Sequence, residues 1–234
     1  ARLLYIGRNR MHGDRENAID LKRSRDVIVS QNEMYDYDRT SSSSGEIGVV
    51  HDDATRVWFL ANHLYNGEYG IWNSGSTDYY AIGNLIHDVK HLAGSSYNAG
   101  GLYEAGHAMV TYGSTNTSHI GNTIWNVDAG ISQPNGGGRA EVVNNIIGNL
   151  LQNTRHIYVG SGATTVVSNN LVTGPPLIQS PSPATGTINA DPRLVNATTG
   201  DYHLQSTSPA INAGVSPAAY QTFQTLYGVN IAKD

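Results

Sequence analysis

Short apolar strands alternate with polar bends along almost the whole chain. Each recurring unit has alternating apolar residues, then an asparagine, any residue and an aliphatic residue, as in the segment from Val57 to Asn66. Period-2 alternation is typical of a strand that buries one face, so the unit predicts a strand that ends in a bend. The unit occurs seven times, with asparagines at Asn9, Asn32, Asn62, Asn84, Asn122, Asn145 and Asn170.

The spacing of these asparagines is irregular, at 23, 30, 22, 38, 23 and 25 residues. A second apolar strand lies between successive asparagines, for example from Ile47 to His51. A coil of short parallel strands accepts insertions at its corners, whereas propeller blades and helical repeats vary less in length. The pattern therefore predicts an all-β solenoid of about eight coils.

Stacked coils give the repeated asparagines a structural explanation. Coils lie about 4.8 Å apart, so each side-chain amide can hydrogen-bond to the amides above and below it, and asparagine tolerates the left-handed backbone of a bend. The alternative is that these amides recognise a glycan. We favour the structural ladder, because ladder residues face the core of the bend.

Composition excludes several classes of protein. Charged residues make up only 14% of the chain and the formal net charge is −5, so no broad basic surface is available for nucleic acid. The chain has no cysteine, which excludes disulfides and thiolate metal sites. No apolar run approaches the roughly 20 residues of a membrane span.

The C-terminal segment carries the most specific family resemblance. It contains Asp191-Pro-Arg-Leu-Val-Asn196, then Gly200-Asp-Tyr-His-Leu-Gln205, then Ser208-Pro-Ala-Ile-Asn-Ala-Gly214. With the repeats, this series resembles the right-handed parallel β-helix superfamily, which includes pectate, alginate and chondroitin lyases. The resemblance implies a right-handed β-helix, and we expect a single domain over residues 1–234. Regular coils are expected at 1–173 and C-terminal coils and tail at 191–234, with an excursion at 174–190 because its prolines cannot donate to a strand ladder.

The chain opens at Leu3-Leu-Tyr-Ile6, already inside a coil, with no polar cap or amphipathic helix ahead of it, and it stops at Asp234, where members of the resembled superfamily usually continue through another closing segment. Natural solenoids cap their ends, because these expose strand edges. We therefore expect a fragment or a trimmed chain, truncated at both ends, whose ends are covered by something else.

Ionisable residues concentrate between Arg8 and Asp53, so one end of the predicted solenoid is polar. In a parallel β-helix, equivalent positions of successive coils stack at strand spacing, so outward side chains from distant positions can form one site. Aligning the coils on their asparagines places Lys22 near His51 or Asp52. At the equivalent position of the following coil, the same alignment places Asn73 or Ser74.

Uronate polysaccharides are cleaved by β-elimination, in which a base removes the proton α to the carboxylate and a cation stabilises the developing charge. The stretch from Glu16 to Lys22 looks like the acid-then-lysine segment of alginate and chondroitin lyases. The resemblance implies Lys22 as the base, with Glu16 and Asp20 near Ca²⁺. The acids are spaced differently here, and His51 stands where that branch tends to have arginine.

The remaining candidates extend this site. His51 is a second catalytic candidate, and Asp52 and Asp53 are candidate metal ligands. Candidate substrate-binding residues are Trp72, Asn73, Tyr69 and Arg25.

Each candidate also has a purely structural interpretation. Lys22 can be a solvated charge at a strand end or can simply pair with Asp20, and His51-Asp52-Asp53 can be a turn capped by its own aspartates. Aromatic residues on adjacent coils can stabilise a sheet without any ligand.

Two functional hypotheses remain open from the sequence. The first is a secreted carbohydrate-active β-helix, namely a polysaccharide lyase or a hydrolase with paired carboxylates. The second is a non-catalytic extracellular module, at the cell surface or secreted, that binds glycans or stacks end to end into a fibre or surface assembly. Fold alone does not choose between them.

Overall fold

The computed structural model describes residues 2–14, 16–38, 45–91, 106–152, 154–162 and 164–232. It is an all-β parallel β-helix, as the sequence predicts. In each coil the chain passes through a first, a second and a third sheet before entering the next coil. The second sheet has eight strands over the described residues, one from each coil, so the predicted number of coils is confirmed.

The first sheet contains β1 (Arg2–Gly7), β4 (Arg25–Ser30), β7 (Thr55–Leu60), β10 (Thr77–Ile82), β13 (Ser114–Ile120), the second half of β15 (Ala129–Val143) and β18 (Thr164–Ser168). The second sheet contains β2 (Arg10–His12), β5 (Glu33–Tyr37), β8 (His63–Gly67), β11 (Leu85–Val89), β14 (Thr123–Val127), β16 (Ile146–Leu150), β19 (Leu171–Val172) and β21 (Ile188–Asn189). The third sheet contains β3 (Ile19–Lys22), β6 (Glu46–His51), β9 (Tyr69–Ser74), β12 (His107–Tyr112), the first half of β15, β17 (Ile157–Ser161) and β20 (Ile178–Gln179).

The predicted asparagine ladder runs through the bend between the first and second sheets. From Asn9 to Asn145, each Nδ2 donates to Oδ1 of the next asparagine at 2.9–3.0 Å. Each Oδ1 from Asn32 to Asn170 also accepts the backbone N–H of the preceding asparagine. The six asparagines after Asn9 are at most 1% exposed, so the ladder is confirmed as part of the core.

The left-handed backbone at this bend lies one residue before each asparagine. The residues with positive φ are Arg8, Gln31, Ala61, Gly83, Gly121, Asn144 and Asn169. The ladder asparagines themselves are therefore free to point inward. Conformational tolerance of asparagine is not the reason for the repeat; hydrogen bonding inside the bend is.

Aliphatic side chains from all three sheets fill the interior, as alternation predicts. Val27, Val57, Ile86 and Ile131 are fully buried in this cluster. In β3 the alternation is complete, because Ile19 and Leu21 are buried while Asp20 and Lys22 are exposed. Polar groups that point outward from β3 are therefore fixed in place by apolar neighbours that point inward.

The C-terminal part differs from the prediction in two ways. Residues 174–190 were expected to form an excursion, yet they add β20 to the third sheet, a parallel bridge at Thr185 to the first, and β21 to the second. Residues 191–234 were expected to form C-terminal coils and a tail. Residues 191–232 add no further coil: they form the antiparallel pair β22 (Leu194–Asn196) and β23 (Asp201–Leu204), joined by a 3₁₀ turn at Ala197–Thr199, and the helix α1 (Ala218–Tyr227).

This tail, residues 191–232, lies across the outside of the coils. Tyr202 packs on His87 of the second sheet, with ring centroids 4.8 Å apart. Asn144 then holds the backbone of Val215 at the ladder corner through two hydrogen bonds. Finally, α1 packs Phe223 against Trp58 on the outer face of the first sheet.

Candidate functional site

A cavity of about 320 Å³ lies on the outer face of the third sheet, at the first three coils. We call it the lateral pocket, and it is lined by Glu16, Asn17, Asp20, Lys22, Glu46, Val49, His51, Asp52, Trp72 and Ser74. Strand register creates it: Lys22 pairs with His51, and Asp20 with Val49, which in turn pairs with Trp72. Residues far apart in sequence thus stand side by side.

Four polar side chains form a continuous network on one side of the pocket. Lys22 Nζ lies 2.9 Å from Asp20 Oδ2, and His51 Nε2 lies 2.8 Å from Asp20 Oδ1. His51 Nδ1 is 3.3 Å from Asp52 Oδ1. A neutral imidazole can donate to only one of the two carboxylates. These two distances show that both ring nitrogens of His51 face protein carboxylates, so neither points freely into the pocket.

The surroundings of Lys22 favour its charged form. The hydrogen bond to Asp20 raises the pKa of Lys22 above its usual value, and the negative charges of Asp20, Asp52 and Glu16 act in the same direction. A general base must be able to lose its proton near the working pH. The geometry thus opposes the expected role of Lys22 as the base and suits it to the role of a fixed cation.

The predicted calcium ligands do not form a ligand set. Both carboxylate oxygens of Asp20 already face cationic or imidazole nitrogens, whereas Ca²⁺ needs six to eight oxygen ligands. Among the residues that the structure describes, no group of three or more His, Asp or Glu side chains is arranged to hold a metal ion. Asp53 lies outside the lining of the pocket, in a left-handed turn beyond it. These residues do not fit calcium as they stand.

Trp72 forms the aromatic wall of the pocket. It is half-buried, and its ring meets that of Tyr69 edge to face, with centroids 5.3 Å apart and an interplanar angle of 83°. Tyr69 is only 8% exposed and packs with Val110. Tyr69 therefore supports Trp72 from behind and does not itself line the pocket, contrary to the sequence prediction.

Two further predicted substrate-binding residues lie elsewhere. Asn73 points into the core with no exposed surface, where its Oδ1 accepts a hydrogen bond from Ser76. Arg25 lies on the first sheet, beside Asp26 at 3.6 Å, and does not line the pocket. Alternation explains Asn73, because consecutive residues of a strand face opposite sides and Trp72 faces outward.

Glu46, Asn17 and Val49 line the pocket but were not among the predicted site residues. Glu46 begins β6, the strand that ends at His51, and the side-chain amide of Asn17 donates to the backbone carbonyl of Glu46 at 2.9 Å. The sequence could have indicated Glu46 and Asn17 through the register of β3 against β6. Once Lys22 is placed beside His51, counting back along both strands places Glu46 next to Asn17 at the same edge of the sheet.

Aromatic and histidine rings on the second sheet form a separate stacked column. His12, Tyr35 and Tyr65 stack with centroids 4.7 Å apart, and His87 continues the stack at 5.0 Å. His63 Nε2 lies 2.7 Å from His87 Nε2, and burial lowers the pKa of both rings, that of His63 to about 4. This arrangement fits the structural interpretation of the repeated aromatic residues.

Comparison with known proteins adds no assignment, because no family model, no curated protein and no solved structure matches the chain. Within the described ranges, no helix is both long and apolar enough to cross a membrane. The lateral pocket is therefore the feature from which a function can be inferred.

Proposed function

We propose that the lateral pocket is a carbohydrate-binding site on the side of a parallel β-helix. The observation that carries this proposal is that the pocket combines the indole ring of Trp72 with the carboxylates of Glu46 and Asp52. Sugar rings have apolar CH faces that stack on aromatic side chains, and hydroxyl groups that donate to carboxylates. Its volume of about 320 Å³ is at the lower end of the range of small-molecule sites, which suits one or two sugar units.

Rigid strands support this binding role. Trp72 is braced by Tyr69, and the polar side chains stand on β3 and β6, which are fixed by the buried side chains of the same strands. A site whose side chains are already ordered loses less conformational entropy when a ligand binds. The pocket therefore needs little rearrangement to receive a sugar.

β-Elimination on a uronate polysaccharide is the second candidate function, favoured by the contact of Lys22, Asp20 and His51. In this scheme His51 leaves one carboxylate and removes the proton α to the uronate carboxylate. The electron pair forms a carbon–carbon double bond as the glycosidic carbon–oxygen bond breaks, and water supplies a proton to the leaving oxygen. The Lys22 ammonium stabilises the enediolate charge.

Affinity measurements against a panel of soluble polysaccharides test the binding proposal. We expect Trp72→Ala to weaken binding by about fivefold or more, since a stacked ring contributes roughly 1 kcal/mol or more beyond the burial of its surface area. Trp125→Ala is the matched control, because Trp125 lies on the second sheet, away from the pocket. Equal loss in both variants, or no binding by the wild type, would contradict the proposal.

The ultraviolet absorbance of unsaturated sugar products tests the second candidate. The assay uses alginate, pectate and chondroitin, with and without Ca²⁺, for the wild type, Lys22→Ala and His51→Ala. Product formation that either substitution abolishes would support elimination. A wild type that binds polysaccharide without releasing product leaves the binding role alone.

A further inference from the structure

The lateral pocket carries an excess of negative charge. Its lining contains four carboxylates against one ammonium group and one imidazole; the carboxylates are those of Glu16, Asp20, Glu46 and Asp52. Over the whole chain, by comparison, only 14% of residues are charged. Clustered charges of one sign inside a concave surface concentrate ligands of the opposite sign.

Pairing inside the pocket engages the carboxylates of Asp20 and Asp52 but not that of Glu46. The ammonium of Lys22 is engaged by Asp20, so the one lysine of the lining is already matched by a protein carboxylate. Asp52 shares the imidazole of His51. Within the described part of the chain, no hydrogen bond or ion pair engages the carboxylate of Glu46, which is half-buried at the start of β6.

This charge balance opposes the uronate substrate that the family resemblance implies. A uronate residue carries its own carboxylate, and like charges brought together in a partly desolvated pocket repel. A sugar with a positive charge gains from the same carboxylates. Trp72 adds to this preference, because a cation over an indole face is attracted by the negative face of the ring.

We infer that the lateral pocket binds a sugar bearing a protonated amine, such as the glucosamine units of a de-N-acetylated polysaccharide. The inference rests on the proposed carbohydrate-binding function and names its ligand class. The ammonium group donates to the carboxylate of Glu46 while the sugar ring lies against Trp72. Hydroxyl groups of the same unit donate to Asp52.

Isothermal titration calorimetry with four oligomers of equal length tests the inference. The ligands are glucosamine, N-acetylglucosamine, galacturonate and lysine oligomers at about pH 5.5, where the amines of the first and the last are protonated and Asp and Glu carboxylates remain ionised. We expect the glucosamine oligomer to bind about tenfold or more tighter than its acetylated counterpart, because acetylation removes a charge-assisted hydrogen bond. Its affinity should fall as salt is added.

Glu46→Gln separates charge from shape in the same assay. It should weaken glucosamine binding about fivefold or more and weaken binding of the acetylated oligomer clearly less, because the side-chain carbonyl of Gln still accepts a hydrogen bond from a neutral hydroxyl group. Asp38→Asn is the matched control: it removes one exposed carboxylate outside the pocket and should change neither affinity.

The outcomes distinguish the two proposals. Equal affinity for the acetylated and free-amine oligomers, or tighter binding of galacturonate, overturns the inference and leaves carbohydrate binding intact. Lysine oligomers that bind as tightly as glucosamine oligomers, with Trp72→Ala having no effect, indicate a site for cations in general and overturn both. Failure of all three saccharides to bind also overturns both.

Discussion

Replacing a buried asparagine of the ladder, Asn84, should lower the free energy of unfolding far more than replacing Asn9, the exposed asparagine at its end. Asn84 is 1% exposed and its side chain makes four hydrogen bonds. Its Nδ2 donates to the carbonyl of Phe59 at 3.0 Å and to Asn122 Oδ1 at 2.9 Å. Its Oδ1 accepts from the backbone N–H and the Nδ2 of Asn62, both at 3.0 Å. Asn84→Ala removes all four.

The magnitude follows from these contacts. Each hydrogen bond contributes about 0.5–1.5 kcal/mol, and a buried group left without a partner costs about 1–3 kcal/mol. The backbone N–H of Asn62 becomes such a group, because Asn84 Oδ1 is its acceptor. We therefore expect Asn84→Ala to lower the free energy of unfolding by roughly 3–6 kcal/mol, a large part of the roughly 5–15 kcal/mol typical of a folded domain.

The matched comparison is Asn9→Ala. Asn9 is exposed, and its side chain donates to Gly7 O and Asn32 Oδ1. This variant should lose about 1 kcal/mol, since the groups left behind can bond to water. Urea unfolding monitored by circular dichroism gives both values, and hydrogen exchange should show faster exchange of the Asn62 amide in Asn84→Ala. Equal losses in the two variants would refute the view that buried amide pairing stabilises the bend.

Three further predictions concern the tail, the interior and the pocket. Phe223→Ala should lower the free energy of unfolding by about 3 kcal/mol. It should also shift the fluorescence emission of the fully buried Trp58 to longer wavelength, measured in a background where Trp72 and Trp125 are replaced by Phe. Unchanged emission would contradict the packing of α1 on the Trp58 ring. Burial lowers the pKa of His119 from 6.5 to about 4, so the unfolded state binds more protons in this range and stability should fall as the pH drops from about 6.5 to about 4. In urea unfolding, the free energy of unfolding of His119→Leu should decrease over this pH range by up to about 3 kcal/mol less than that of the wild type. Identical pH profiles of the two proteins would contradict this role of His119. Asp20→Asn should lower the pKa of Lys22 toward 10.5 in a nuclear magnetic resonance titration of its side chain, whereas an unchanged value would exclude the Asp20 pair as the cause of the raised pKa.

The sequence predicts the coil well because two signals repeat in every copy. Aliphatic alternation sets which side chains are inside, and the asparagine marks the same bend each time, so the ladder register is defined from Asn9 to Asn170. The tail carries neither signal. Its helix is held by Ala219 and Phe223 against an apolar stripe on the outside of the first sheet, and residues such as Trp58 and Leu60 that form this stripe are indistinguishable in sequence from core residues.

The residues of the lateral pocket could be predicted only as far as the register between β3, β6 and β9 could be predicted. Asp20, Lys22, His51 and Trp72 meet because they occupy outward positions of β3, β6 and β9. Asn73 could have been excluded from the sequence, since it follows an outward-facing residue in the same strand. The internal pairing of Asp20 could not have been chosen over calcium binding, because both require the same residue types and differ only in side-chain rotamers.

The tail also changes how the coils depend on one another. A stack of repeats contacts only its neighbours, so each added coil stabilises only the one beside it and the ends fray independently. Here Ala219 and Phe223 of one helix share an apolar cluster with Trp58, Ile82, Ile120 and Val143, which belong to four successive coils. Opening any one of these coils must disturb a surface shared by all four. The four coils that share this cluster should therefore unfold together, as one cooperative unit.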